Sequence, residues 1–120
     1  MKNVVLLGST GSIGTSTVKV AEDLPDQVRL IGLAAGGNVG LLAEQTRIHH
    51  PSTISIADET LLPELSKCIP DTVEIYSGDE GLIHLATLPE ADIVLIAIVG
   101  TAGLKPALAA IRAGKDIAVA

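Results

Sequence analysis

Residues 3–17 read NVVLLGSTGSIGTST, with Gly8, Gly11 and Gly14 at every third position between an aliphatic run and a run of small hydroxyl residues. The run before them, Asn3 to Leu7, is apolar without alternation, which suits a strand buried on both faces. The run after them, Ser12 to Asp23, places Ile13, Thr17, Val20, Ala21 and Leu24 at near-helical spacing, and Pro25 closes the pattern. The glycines therefore occupy a turn from a strand into a helix.

That context gives each glycine a task. Gly8 can adopt backbone angles that a Cβ forbids, Gly11 lets a ligand approach the main chain, and Gly14 lets the helix pack tightly on the strand. The backbone N–H groups of Thr10, Gly11, Ser12 and Ile13 lie at the positive end of the helix dipole, where a phosphate is well placed. The hydroxyls of Ser9, Thr10 and Ser12 add donors. Three glycines can serve a tight turn and nothing else; the flanking strand and helix favour nucleotide binding. The spacing is G-x-x-G-x-x-G, so the general dinucleotide fingerprint is met in part.

Strands and helices alternate along the rest of the chain. Val28–Ala35 reads as a second strand, Val39–His50 as a helix stopped by Pro51, and Thr53–Ala57 as a third strand. Asp58 can cap a helix from Glu59 to about Lys67. Val73–Tyr76 is short and mixed, as an edge strand is, and Asp79–Leu88 reads as a helix before Pro89. Asp92–Gly100 is the most apolar run and is expected beside the first strand, covered by helices on both faces. Gly103–Gly114 is a further helix, and the sequence ends inside a last strand begun at Lys115. The fold class expected is α/β, a Rossmann-type doubly wound parallel sheet with helices on both faces, and residues 1–120 form one domain. A sequence ending within a strand is expected to be the amino-terminal part of a longer protein.

Composition narrows the function. Apolar residues make up 48% of the chain and aromatic residues 1%, so the core must be built from Val, Ile, Leu and Ala. A net charge of −6 with scattered Lys and Arg argues against a nucleic-acid partner. No apolar run is long enough to span a bilayer, and Met1-Lys2 leads straight into the first strand without room for a signal peptide, so a cytoplasmic location is expected. Cys68 is the one cysteine and falls in a helical pattern with Leu61, Leu62 and Leu65, as a packing or surface residue does. His49 and His50 diverge on a helix, and His84 stands alone. The acids form no spacing typical of a metal site or an acid–base pair, so no catalytic or metal-binding residue is read in this chain.

The end of the second strand bears on the choice of dinucleotide. An NAD site there usually has an acid that holds the ribose 2′-hydroxyl. Residues 33–40 read LAAGGNVG, without a carboxylate. Gly36, Gly37 and Asn38 instead form a second glycine turn into a helix, with Asn38 as its cap and free N–H groups for a second phosphate, unless the segment is simply a connecting loop. The pattern favours NADP.

LLGSTGSIGTST, GLAAGGNV and AIVGTAGLKPALAAIRAGKDIAVA together resemble, in order and spacing, the amino-terminal NADPH-binding domain of the 1-deoxy-D-xylulose 5-phosphate reductoisomerase family. The likeness covers the whole chain, and GSTGSIG with AIVGTAGL is more specific than the general glycine fingerprint. It implies an enzyme of non-mevalonate isoprenoid synthesis that rearranges 1-deoxy-D-xylulose 5-phosphate and reduces the product with NADPH to 2-C-methyl-D-erythritol 4-phosphate. It also implies magnesium or manganese, a phosphosugar substrate and a homodimer. Carried over by position, Thr10, Gly11, Ser12 and Ile13 correspond to pyrophosphate contacts, and Gly36, Gly37 and Asn38 to contacts with the 2′-phosphate. Many members have a basic residue at the position of Gly37, which leaves the backbone part of that grip. In the family the last strand runs on into an Asn-Lys-Glu motif and then to the metal and substrate groups, so this chain alone is expected to be inactive. Two rival readings are a free-standing nucleotide-binding regulatory module and another two-domain NADP-dependent reductase, such as an aspartate semialdehyde dehydrogenase or a dihydrodipicolinate reductase.

Overall fold

Aliphatic runs punctuated by glycine and proline produce six parallel strands in a computed structural model that describes residues 1–120. In chain order the elements are β1 (Lys2–Leu7), α1 (Ser12–Asp23), β2 (Val28–Ala35), α2 (Val39–His49), β3 (Thr53–Ile56), α3 (Leu62–Cys68), β4 (Glu74–Ser77), α4 (Gly78–Ala86), β5 (Ile93–Ile96), α5 (Leu104–Arg112) and β6 (Asp116–Val119). The sheet order is β4-β3-β2-β1-β5-β6, so the winding reverses at β1, and β4 lies at an edge as its mixed sequence suggests. This is the expected doubly wound α/β sheet. In such sheets ligands bind beyond the carboxyl ends of the strands at the reversal.

Successive β1 residues face opposite layers. Val4 and Leu6 pack with Val18, Leu33, Leu42, Ile54 and Leu65 beneath α1, α2 and α3. Val5 and Leu7 pack with Leu85, Val94 and Ala110 beneath α4 and α5. Each buried Val, Leu or Ile among these contributes roughly 1.5–3 kcal/mol, which is how a core almost without aromatics holds together.

Four details differ from the sequence reading. The inward face of α1 is Gly14, Val18 and Ala21, whereas Ile13 and Val20 are each 51% exposed. Close docking of Gly14 on the preceding turn sets the rotation of the helix, and hydrophobicity alone does not reveal it. Next, β5 ends at Ile96 instead of Gly100, because its partner β1 turns away after Leu7 and no ladder is available beyond the Leu7–Ile96 pair. Ile93 and Leu95 are only half-buried, so β5 is fully covered on one face and partly on the other. Finally, the helix expected from Glu59 is a 3-10 turn, Glu59–Leu61, followed by α3 with Pro63 in its first turn. Asp58 does cap this segment: its Oδ1 accepts from the Thr60 N–H at 3.0 Å and the Thr60 hydroxyl at 2.6 Å. Those two bonds hold the Asp58 carboxyl below its ordinary range.

Candidate functional site

The first glycine turn is held by its neighbours on both sides. Gly8 has φ +97°, and a Cβ there would lie 2.5 Å from the Ala97 carbonyl oxygen. The N–H groups of Gly8 and Ser9 both donate to the Ala34 carbonyl, at 2.8 and 2.9 Å. A Cβ on Gly14 would collide with the Gly8 carbonyl, so this glycine fits α1 against the turn rather than against the strand. Gly11 differs from both. Its φ is −78°, and the nearest atom to an added Cβ is 3.8 Å away, so the fold does not require glycine at this position.

The helix amino terminus is rich in free donors. The N–H groups of Thr10, Ser12, Ile13 and Gly14 have no acceptor within the chain, while that of Gly11 makes a long 3.4 Å bond back to Gly8. Gly11 therefore offers room more than a donor. The Ser9 hydroxyl corrects the sequence reading: Ser9 is fully buried and does not line the cleft.

The second turn repeats the design. Neither Gly36 nor Gly37 has positive φ; nothing lies within 4 Å of a Cβ at Gly36, and only the tip of Leu61, at 3.8 Å, lies near one at Gly37. The Asn38 Oδ1 accepts from the Leu41 N–H at 3.1 Å, so Asn38 caps α2 as expected. The N–H groups of Gly36, Gly37, Asn38 and Gly40 have no acceptor in the chain. Two helix amino termini thus open side by side at the carboxyl ends of β1 and β2.

Between them lies a cleft of about 320 Å³ that gathers Thr10, Gly11 and Gly36 from the expected residues and is walled by Ala97, Ile98 and Val99 after β5. Ser12, Ile13, Gly37 and Asn38 stand at the two helix starts outside its lining. The cleft also takes in Ala57, Gly78, Asp79, Leu82 and Ala102, which the sequence reading did not single out. Gly78, at φ +66°, directly follows β4 and was the available signal. A larger recess of about 530 Å³, lined by Met1, Glu22, Arg29 and His49 among others, lies at the opposite ends of the strands. It has neither glycine turn, and the carboxyl-end cleft is the one that parallel-sheet geometry equips for a phosphorylated ligand.

No group of three or more His, Cys, Asp or Glu side chains converges to hold a metal ion. His49 instead faces Glu22, with Nε2 3.5 Å from Oε1. Cys68 is exposed. Asp79 stands in the first turn of α4 beside the cleft.

A family model described as 1-deoxy-D-xylulose 5-phosphate reductoisomerase matches residues 4–120. The chain belongs to the 1-deoxy-D-xylulose 5-phosphate reductoisomerase family. The family's enzyme from Synechococcus sp. (strain ATCC 27144 / PCC 6301 / SAUG 1402/1) is 52% identical over 123 residues, covering 100% of this chain and 31% of the relative. A relative from Mentha piperita, named chloroplastic, is 48% identical over 122 residues, covering 99% of this chain and 26% of its own. Among solved structures, the Zymomonas mobilis reductoisomerase in complex with NADPH superposes with a TM-score of 0.92 at 39% identity, over 99% of this chain and 31% of that one. A reductoisomerase in complex with NADPH, fosmidomycin and magnesium gives 0.92 at 38% identity, over 98% and 29%. This chain thus spans about 31% of the length of the Synechococcus reductoisomerase.

Proposed function

We propose that residues 1–120 form the NADPH-binding domain of an enzyme that isomerises and reduces 1-deoxy-D-xylulose 5-phosphate to 2-C-methyl-D-erythritol 4-phosphate. One observation carries the reading: Gly11, Gly36 and Gly37 are glycines that the fold itself does not need, and they stand at two adjacent helix amino termini. Glycine without an internal reason points to close approach by something outside the chain. Family membership and the NADPH complexes of two similar structures support the same reading.

In this reading the N–H groups of Thr10, Ser12 and Ile13 donate to the cofactor pyrophosphate, with Gly11 leaving space for it. Gly36, Gly37 and Asn38 present their N–H groups to the 2′-phosphate. Gly8 lets the turn close on Ala97, which brings the Ile98–Val99 wall against the same cleft and shields one side of the ligand from water. NADPH supplies the hydride when bound. The side chains present do not make a site for magnesium or manganese, so no step is assigned to a metal here. The metal ligands and the phosphosugar contacts are proposed to belong to the rest of the enzyme, which is proposed to be a cytoplasmic homodimer. No helix of the chain is long and apolar enough to cross a membrane.

Calorimetric titration with NADPH and NADH tests the cofactor assignment. NADPH should bind more tightly, by a modest factor because the second turn offers backbone donors and a cap but no basic side chain at Gly37. Equal affinities would overturn the 2′-phosphate assignment, and failure to bind either would overturn the domain's proposed role.

A further inference from the structure

We propose that Gln45 is a positioning residue for the cofactor turn, holding the Ser9–Thr10 peptide so that the Thr10 N–H points into the cleft. The proposal rests on the nucleotide reading above and adds a residue that touches no nucleotide.

Gln45 lies on the inward face of α2 and is only 4% exposed, an uncommon place for an uncharged amide among Leu42, Ala43 and Val39. Its Nε2 donates to the Ser9 carbonyl at 2.9 Å, a buried bond across 36 residues of sequence. A carbonyl accepts only, so the amide orientation is decided by its partner. No other donor within the chain reaches the Ser9 carbonyl. The Ser9 N–H is held as well, by the Ala34 carbonyl at 2.9 Å.

The Ser9 carbonyl and the Thr10 N–H belong to the same planar peptide unit. All peptide bonds in the chain are trans, so these two groups point in opposite directions. Drawing the carbonyl inward to Gln45 therefore turns the Thr10 N–H outward, where it has no acceptor in the chain and Thr10 lines the cleft. Rotation of this peptide turns on ψ of Ser9 and φ of Thr10, and no backbone hydrogen bond holds either its carbonyl or its N–H. The buried Gln45 amide supplies that hold. Polarisation of the peptide at its carbonyl also makes its N–H a better donor.

Gln45→Met keeps the side chain's length and removes its donor. The test compares the wild-type chain with this variant using two probes, NADPH and adenosine 2′-phosphate, which carries the second-turn phosphate but no pyrophosphate. The expected result is at least a tenfold loss of NADPH affinity with adenosine 2′-phosphate changed by less than twofold. Equal losses for both probes would indicate general loosening of the fold and overturn the proposal, as would no loss for either. A second measurement needs no variant: in the wild-type chain, exchange of the Gln45 side-chain amide protons should slow when NADPH binds, because the peptide is then held at both ends. Unchanged exchange in a saturated complex would also overturn it. A wild-type chain that binds neither probe would overturn the nucleotide reading instead. In that event Thr10 amide exchange still judges the anchoring: a change in Gln45→Met supports it and no change refutes it.

Discussion

Gly11 and Gly14 sit one helical turn apart, yet an added Cβ would make only an ordinary 3.8 Å contact at one and collide with a backbone carbonyl at the other. Gly11→Val is therefore expected to leave the circular dichroism spectrum unchanged and to lower stability by only about 1 kcal/mol, the cost of a poor helix cap, while abolishing NADPH binding. Gly14→Ala should lower stability by about 3 kcal/mol or more, because the clash is with backbone that cannot rotate away. Denaturant melts with a binding titration on the same samples check both, and an unstable Gly11→Val with intact affinity would refute the division of roles. Tyr76 offers a second residue-level test. Its hydroxyl donates to Glu74 Oε2 at 2.8 Å, and that bond, with smaller contributions from burial and the Glu74 charge, raises the phenol above its ordinary value. A raised phenol stabilises the fold below the ordinary phenol range, and that contribution is lost as pH rises through the folded value. Tyr76 is the only tyrosine in a chain without tryptophan, so ultraviolet absorbance reports it alone. The midpoint should lie above the free phenol and fall in Glu74→Ala; a midpoint indifferent to that substitution would show the bond is not formed in solution.

The two helices that begin at the cleft are started differently. α1 has Gly11 at its cap position and no side-chain cap, so its first-turn donors stay free, whereas α2 begins under the Asn38 carboxamide. Asn38→Ala should cost about 1 kcal/mol of stability, as loss of such a cap usually does. It should also narrow the preference for NADPH over NADH, because the turn it shapes faces the 2′-phosphate in the proposed complex. Paired titrations before and after the substitution measure this, and an unchanged ratio would move the 2′-phosphate elsewhere. β5 shows the opposite dependence, since its length is decided by its neighbour: the ladder stops where β1 bends at Gly8, whatever the hydrophobicity of residues 97–99.

Across the whole molecule the two edges of the sheet differ in character, β4 being polar and β6 apolar. β4 ends the sheet with Glu74 and a hydrogen-bonded Tyr76, while β6 ends it with Val119, 69% exposed and paired with Ile96, and on the opposite face Ile93 and Leu95 of β5 are only half-buried. An apolar strand edge next to a partly covered face favours pairing with another chain. Sedimentation equilibrium on the 120-residue chain should show reversible association that strengthens with concentration and weakens in Val119→Lys. A single monomeric species at every concentration would show that this edge is already quiet.

The sequence by itself determined the alternation of strands and helices, the place of β1 beside β5, the edge position of β4, the cap at Asn38 and the two glycine turns. The alternation, the cap and the turns rest on local chemistry, namely hydrophobic period, φ freedom and hydrogen bonds that reach only a few residues, and the strand positions on how apolar each strand is, since a strand covered on both faces belongs at the centre of the sheet and a mixed one at its edge. It could not say which glycines the fold needs and which it leaves free, since that depends on Ala97 and the Gly8 carbonyl meeting them in space. The inward face of α1, the far wall of the cleft at Gly78 and Asp79, the burial of the Ser9 hydroxyl and the tie from Gln45 to the Ser9 carbonyl were decided by tertiary structure. Each is a contact between segments distant in sequence or a rotation set by such a contact, and neither leaves a periodic trace along the chain.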